Sequence, residues 1–195
     1  WYGGLFPKTK QAIFFAKNEN QETKKMKIRR LLGIIVLALA GPGILQAQPH
    51  MDDMLKATPS RDREIIVHTA ATPPKIDGLI TDDCWTHSRP HPPLLLLQGK
   101  EPAVVQTSFQ FAADREKLYF AARMEEPAID KIKANINKHD DLVSKDDCIE
   151  LLVDPFGTGI MIYRMVINST GTVLDSHINA LTGTTDLSWS PRATV

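Results

Sequence analysis

A two-residue period that keeps returning between residues 104 and 175 constrains this chain more than any other feature. In Val104 to Phe111, the side chains of Val105, Thr107, Phe109 and Phe111 fall on one face, and Gln106, Ser108 and Gln110 fall on the other. After the polar turn AADREK the pattern resumes in LYFAARM, with Leu118, Phe120, Ala122 and Met124 together. Such alternation marks strands with one face buried, and the two runs predict a hairpin. Cys148 to Asp154 aligns Ile149, Leu151 and Val153 before Pro155 and Gly157 stop it. Ile160 to Asn168 and Thr172 to Asp175 follow around the turn STG, and Glu64 to Thr69 is a short first strand. Only residues 127 to 139 carry a weak helical pattern. About six closely spaced strands with little helix predict an all-β antiparallel β-sandwich.

The N-terminal part is chemically different. KKMKIRR (residues 24 to 30) precedes the apolar run Leu31 to Ala40, then GPGILQAQ. A basic segment, a short apolar run and small residues predict a secretory signal peptide over 26–47, cleaved after Ala47. The apolar run is too short to span a bilayer. Residues 1–25 show no sustained period and are expected to be an upstream extension, disordered or continuing the signal helix. Residues 48–63 are polar and read as a linker, leaving 64–195 as the folded domain.

The whole chain has 195 residues and a formal net charge of zero. After Ala47 it keeps 15 Lys and Arg against 21 Asp and Glu, a net charge of −6. An acidic exported domain lacks the basic surface that phosphate contacts need, so nucleic acid is not an expected partner. Two cysteines, Cys84 and Cys148, could pair in an oxidising compartment or be two half-buried residues that never meet.

Several segments carry a resemblance. KIDGLITDDCW (residues 75 to 85) resembles the opening signature of the family 9 carbohydrate-binding modules, within the DOMON-like β-sandwich group. TSFQFAADREKLYFAARMEEP resembles the family hairpin, SKDDCIELLVDP its D-x-x-E strand, YRMVINSTGTVLDS its Asn-containing turn and flanking strands, and DLSW its loop tryptophan. The five segments occur in the family's order over about 125 residues. The family's last strands have no counterpart, so the domain is expected to be truncated at its C-terminus. The shared positions Asp77, Gly78, Trp85, Tyr119, Asn168, Gly171 and Asp175 form a structural signature. In this reading Gly78 takes a positive φ in a turn and Asp82 bonds N–H groups just ahead. Trp85 covers one end of the core, contributing about 2–3 kcal/mol, and Asn168 and Asp175 form the turn around Gly171.

The resemblance implies an exported, non-catalytic module that binds a glycan and serves a downstream domain of the same parent chain, of the polysaccharide-degrading kind. A sugar needs a flat aromatic for its C–H face and polar side chains for its hydroxyls. Trp189, in the polar loop DLSWSP, is the candidate platform, or else a lid on the core. Glu150 and Arg164 alternate away from their apolar neighbours and are the candidate hydroxyl contacts, or else a cross-strand ion pair. The second clamp aromatic of ligand-binding family members has no equivalent here: about Val143 to Ser144 the chain has no ring.

No cofactor is expected. Asp140, Asp141, Asp146 and Asp147 offer the oxygens calcium prefers, but their spacing fits no EF-hand loop. A structural calcium is kept only on Asp146 and Asp147. The histidines have no metal-ligand spacing, and neither a nucleophile elbow nor a phosphate loop is present. Glu150 and Asp154, four apart on a strand, are separated by ~13 Å, beyond the spacing of glycosidase carboxylates. Two other readings remain open at the level of sequence. One is a periplasmic sandwich ahead of an outer-membrane barrel, without sugar binding. The other is a haem-binding electron-transfer domain using Met124, Met161 or Met165 with His139 or His177.

Overall fold

The structure is a computed structural model that describes residues 65, 67–88, 94 and 102–195, and the backbone of 9–17. The signal segment 26–47 and the linker 48–63 lie outside the described residues. The protein is all-β and sandwich-like in class, with two sheets and almost no helix among the described residues. Its described residues divide into two compact units, one holding 9–17, 67–131 and 192–195, the other 132–191.

The first unit contains β1 (Thr9–Lys17), β2 (Val67–Thr69), β3 (Thr107–Ala113) and β4 (Lys117–Glu125) in the order β1-β4-β3-β2. The period-two runs become β3 and β4, paired antiparallel with Phe111 opposite Phe120. Phe109, Phe111 and Phe120 pack together, the last two at 5.0 Å between ring centroids. Asp114 makes the hairpin turn: Oδ1 accepts the N–H groups of Glu116 and Lys117, and Oδ2 accepts the Tyr119 hydroxyl at 2.6 Å. Desolvation pushes the Asp114 carboxyl up, but these donors outweigh it and hold it below the usual range. Burial and the Asp114 bond push the Tyr119 hydroxyl well above its ordinary value.

Three expectations change in this unit. Thr9–Lys17 is a strand antiparallel to β4, where the sequence reading expected none. Its apolar residues run AIFFA without alternation, so no period announced it. Next, β2 pairs parallel to β3, so the sheet is mixed. Parallel neighbours need a crossover of a dozen or more residues, and the long stretch from Ala70 to Gln106 supplies it. Finally, the Asp-rich stretch before Trp85 ends in a one-turn helix, α1 (Asp83–Thr86). Asp82 is its N-cap but makes no side-chain cap bond; Asp77 makes the local bond instead, Oδ1 accepting the Leu79 N–H at 2.9 Å. Asp82 therefore acts through its backbone, the carbonyl accepting the Trp85 N–H. Gly78 has φ 77°, the left-handed turn its lack of a Cβ allows. Trp85 is 3% exposed and packs with Ala70, Cys84, Ala112, Tyr119 and Ala121.

The second unit is a four-stranded antiparallel sheet ordered β5 (Cys148–Val153), β6 (Met161–Asn168), β7 (Val173–Asn179), β8 (Thr184–Asp186). The 127–139 stretch forms only a 3-10 turn at Ile129–Lys131, with another at Val143–Lys145. Its β-branched residues and charges never assemble a buried helical stripe. Val143, Cys148, Val166 and Leu174 form a core cluster joined by Ile136. Asp154 closes the β5–β6 turn, Oδ1 accepting the N–H groups of Phe156 and Gly157 and Oδ2 that of Gly159. Cys84 and Cys148 are both free and buried. Desolvation pushes their thiols up to about 11 and about 12.

Candidate functional site

The register of the second sheet decides which side chains can meet. Paired residues of an antiparallel ladder share a face, and neighbours along a strand point to opposite faces. Tyr163 is paired with His177, and His177 with Asp186. These three therefore form one row across β6, β7 and β8. The Trp189 ring lies on that row, 4.7 Å from the Tyr163 ring at an angle of 46°. Tyr163 and His177 rings meet edge-on at 6.3 Å. His177 Nδ1 is 3.7 Å from Asp186 Oδ2. Hydrogen bonds from the Ser188 hydroxyl and N–H hold the Asp186 carboxyl below its usual range. Trp189, Tyr163 and His177 are all half-buried, so the row keeps an open side.

Glu150 and Arg164 lie on the other face of the same sheet, because Arg164 follows Tyr163 on β6. They meet each other: Arg164 Nε donates to Glu150 Oε1 at 2.6 Å, with side chains 19% and 11% exposed. The structure thus joins Glu150 to Arg164 and separates both from Trp189. Val143, where the resemblance would place a second clamp aromatic, is fully buried in the core cluster.

The acids divide sharply. Asp146 is buried, and its two oxygens accept the N–H groups of Asn135 and Ile136 and the Asn168 amide at 3.0, 2.8 and 3.0 Å. Desolvation pushes Asp146 up, but these three donors and the Lys133 charge win and hold it below the usual range. Asp147 Oδ2 accepts the Lys133 N–H. Both calcium candidates therefore anchor the segment before β5, Asp146 through both oxygens and Asp147 through Oδ2. Asn168 does more than shape the turn at Gly171 (φ 85°). It binds the turn N–H groups of Thr170 and Thr172 and reaches across to the Ile136 carbonyl and Asp146.

Asp175 is not a turn residue. It is buried on β7, on the same face as His177, opposite Met165. His139 Nε2 lies 3.4 Å from Asp175 Oδ2, and His139 Nδ1 lies 2.9 Å from Asp140 Oδ2. The Ser190 hydroxyl donates to Asp175 Oδ2 at 3.4 Å, while Asp175 Oδ1 is buried with no hydrogen-bond partner. Burial, then the neighbouring Asp140 charge, pushes the Asp175 carboxyl up. Sequence reasoning gave Tyr163 no role and named His139 and His177 only as haem-ligand candidates, not for this arrangement. Tyr163 and His177 were legible in principle, because each sits at the polar end of an alternating strand. His139 was not, since only the fold carries it to β7.

Compared with family models, with curated proteins and with solved structures, the chain finds no match. Fold and site together define an all-β, two-sheet protein with an aromatic row and a carboxylate–histidine cluster on one sheet. Among the described residues no helix is long and apolar enough to cross a membrane, which leaves β-barrels unaddressed.

Proposed function

We propose that the domain is a non-catalytic glycan-binding module, exported through residues 26–47 and working for a further domain of its parent chain. The observation that carries this reading is the half-exposed Trp189 stacked at 4.7 Å on Tyr163, in line with His177 and Asp186. An indole face accepts the C–H face of a pyranose, while the imidazole and carboxylate beside it can take hydroxyls, a polar-tipped aromatic surface of the kind binding sites use. Glu150 and Arg164 support the platform's strand and do not touch the sugar in this reading, because their ion pair lies on the opposite face. Catalysis is not part of the reading: Asp154 is committed to its turn, its two oxygens accepting three backbone N–H groups. Such a module acts by raising the local concentration of its parent on the glycan.

The test is retention of the full chain on cellulose, xylan and other insoluble glycans, with Trp189→Ala and Tyr163→Ala alongside. Retention on at least one glycan, lowered ten-fold or more by Trp189→Ala, supports the reading. No retention on any of them, or retention that ignores Trp189→Ala in a folded variant, removes it.

A further inference from the structure

We propose that His139, Asp140 and Asp175 form a binding site for one first-row divalent cation of the zinc or manganese class. One imidazole nitrogen and two carboxylate oxygens, all within 4.8 Å of one another, come together from the segment before β5 and from β7. The independent sign is Asp175 itself. Its side chain is 2% exposed, one oxygen has no hydrogen-bond partner, and the other has only the imidazole and a long contact to Ser190. A buried carboxylate with one oxygen lacking any donor is costly, and among the described residues no Lys or Arg is paired with it. A cation held at Oδ2 would neutralise the charge that burial makes costly.

The donor set selects the kind of metal. Calcium takes six to eight oxygens; imidazole nitrogen suits zinc and its neighbours, and carboxylate also suits manganese. Ligand bonds of about 2.0–2.2 Å require ligand atoms about 3.4 Å apart in a tetrahedral arrangement. His139 Nε2 and Asp175 Oδ2 already stand at 3.4 Å. The His139 side chain is 56% exposed, so its ring can turn to admit an Asp140 oxygen as third ligand. Three protein ligands leave a position for water. This inference does not rest on glycan binding, and neither result decides the other.

The full chain, stripped with chelator, is titrated with Co2+ and followed by visible absorption, with bound zinc counted by elemental analysis after dialysis. One equivalent of metal and cobalt bands stronger than those of the aqueous ion are expected. His139→Ala and Asp175→Asn should each weaken binding ten-fold or more, while His87→Ala, at an exposed histidine beside Asp83, leaves it unchanged. Circular dichroism checks folding; if Asp175→Asn does not fold, the exposed His139 decides alone. Absent bands, bands that survive His139→Ala, or binding of Ca2+ alone would overturn the proposal.

Discussion

Asp146 and Asp175 belong to the same unit, are equally buried at 1% exposure, and are chemically identical, yet the protein treats them in opposite ways. Around Asp146 the chain aims two backbone N–H groups and an amide at the carboxylate, which holds it below its usual range. Around Asp175 it leaves one oxygen without a donor, and burial, then the nearby Asp140 carboxylate, pushes the group up. Surface exposure is the same, so exposure alone cannot be what separates a structural acid from a reactive or ligand-binding one. The number of donors can. A saturated carboxylate has nothing left to offer a ligand, whereas an unsaturated one has been kept at a cost in stability.

That contrast is broken most easily by removing each acid in turn. Asp146→Ala leaves three donors facing an apolar side chain, and each lost charge-assisted bond is worth roughly 1.5–3 kcal/mol, so the variant should lose about 4 kcal/mol or more. Asp175→Asn keeps the shape and removes the repulsion from Asp140, so its stability should change by less than about 1 kcal/mol. Urea denaturation of the metal-free chain measures both. Equal losses would mean that donor count does not distinguish the two regions.

Glu150 and Arg164 supply an intermediate case, a buried charge saturated by another side chain. Breaking such a pair from one side strands the other charge, at roughly 3 kcal/mol. Arg164→Leu should therefore be destabilising by about that amount, and adding Glu150→Leu should recover most of it. A double variant no more stable than the single one would show that the pair holds something beyond itself.

Acid sharpens the comparison further. Since Asp146 is depressed in the folded state, its contribution is fully present above the unfolded carboxylate value, near ~3.9. It is lost as pH falls through the lower folded value. Stability measured downward from pH 5 should fall less steeply in Asp146→Asn than in the native chain. An unchanged slope would mean the three donors do not favour the charged form.

How much of this was written in the sequence depends on range. The strands β3 to β7 were legible because alternating apolar residues record a buried face directly. The short β8, Thr-Thr-Asp, has no apolar residue to alternate and was not. Nor was the parallel pairing of β2, which depends on how a long connection returns. Trp189 could be singled out because its loop has no period to bury it, but its contact with Tyr163 depends on where the loop after β8 returns. The direction in which Glu150 leaves the strand was readable; that Arg164 would saturate it on a face away from Trp189 was a choice the local pattern left open. Asp146 and Asp175 look alike in sequence, because the donors that separate them come from residues 135, 136 and 168 in one case and only from His139 and Ser190, both on a single oxygen, in the other.

The smallest effect is expected at Cys148, which makes it a sensitive probe of how closed the Asp146 region is. Cys148 is paired with Asn168, the residue whose amide binds Asp146, and it packs with Val143, Val166 and Leu174. Only the thiolate attacks an alkylating reagent, and burial pushes this thiol up to about 12. At pH 8 the thiolate fraction is then of order one in ten thousand, a factor of ten for each pH unit below the shifted value. Iodoacetamide should accordingly leave the folded chain unmodified by mass spectrometry over hours, and should label Cys148 fully in urea. Labelling of native Cys148 would show that the segment held by Asp146 opens readily. Its three hydrogen bonds would then be too weak to set Asp146 apart from Asp175.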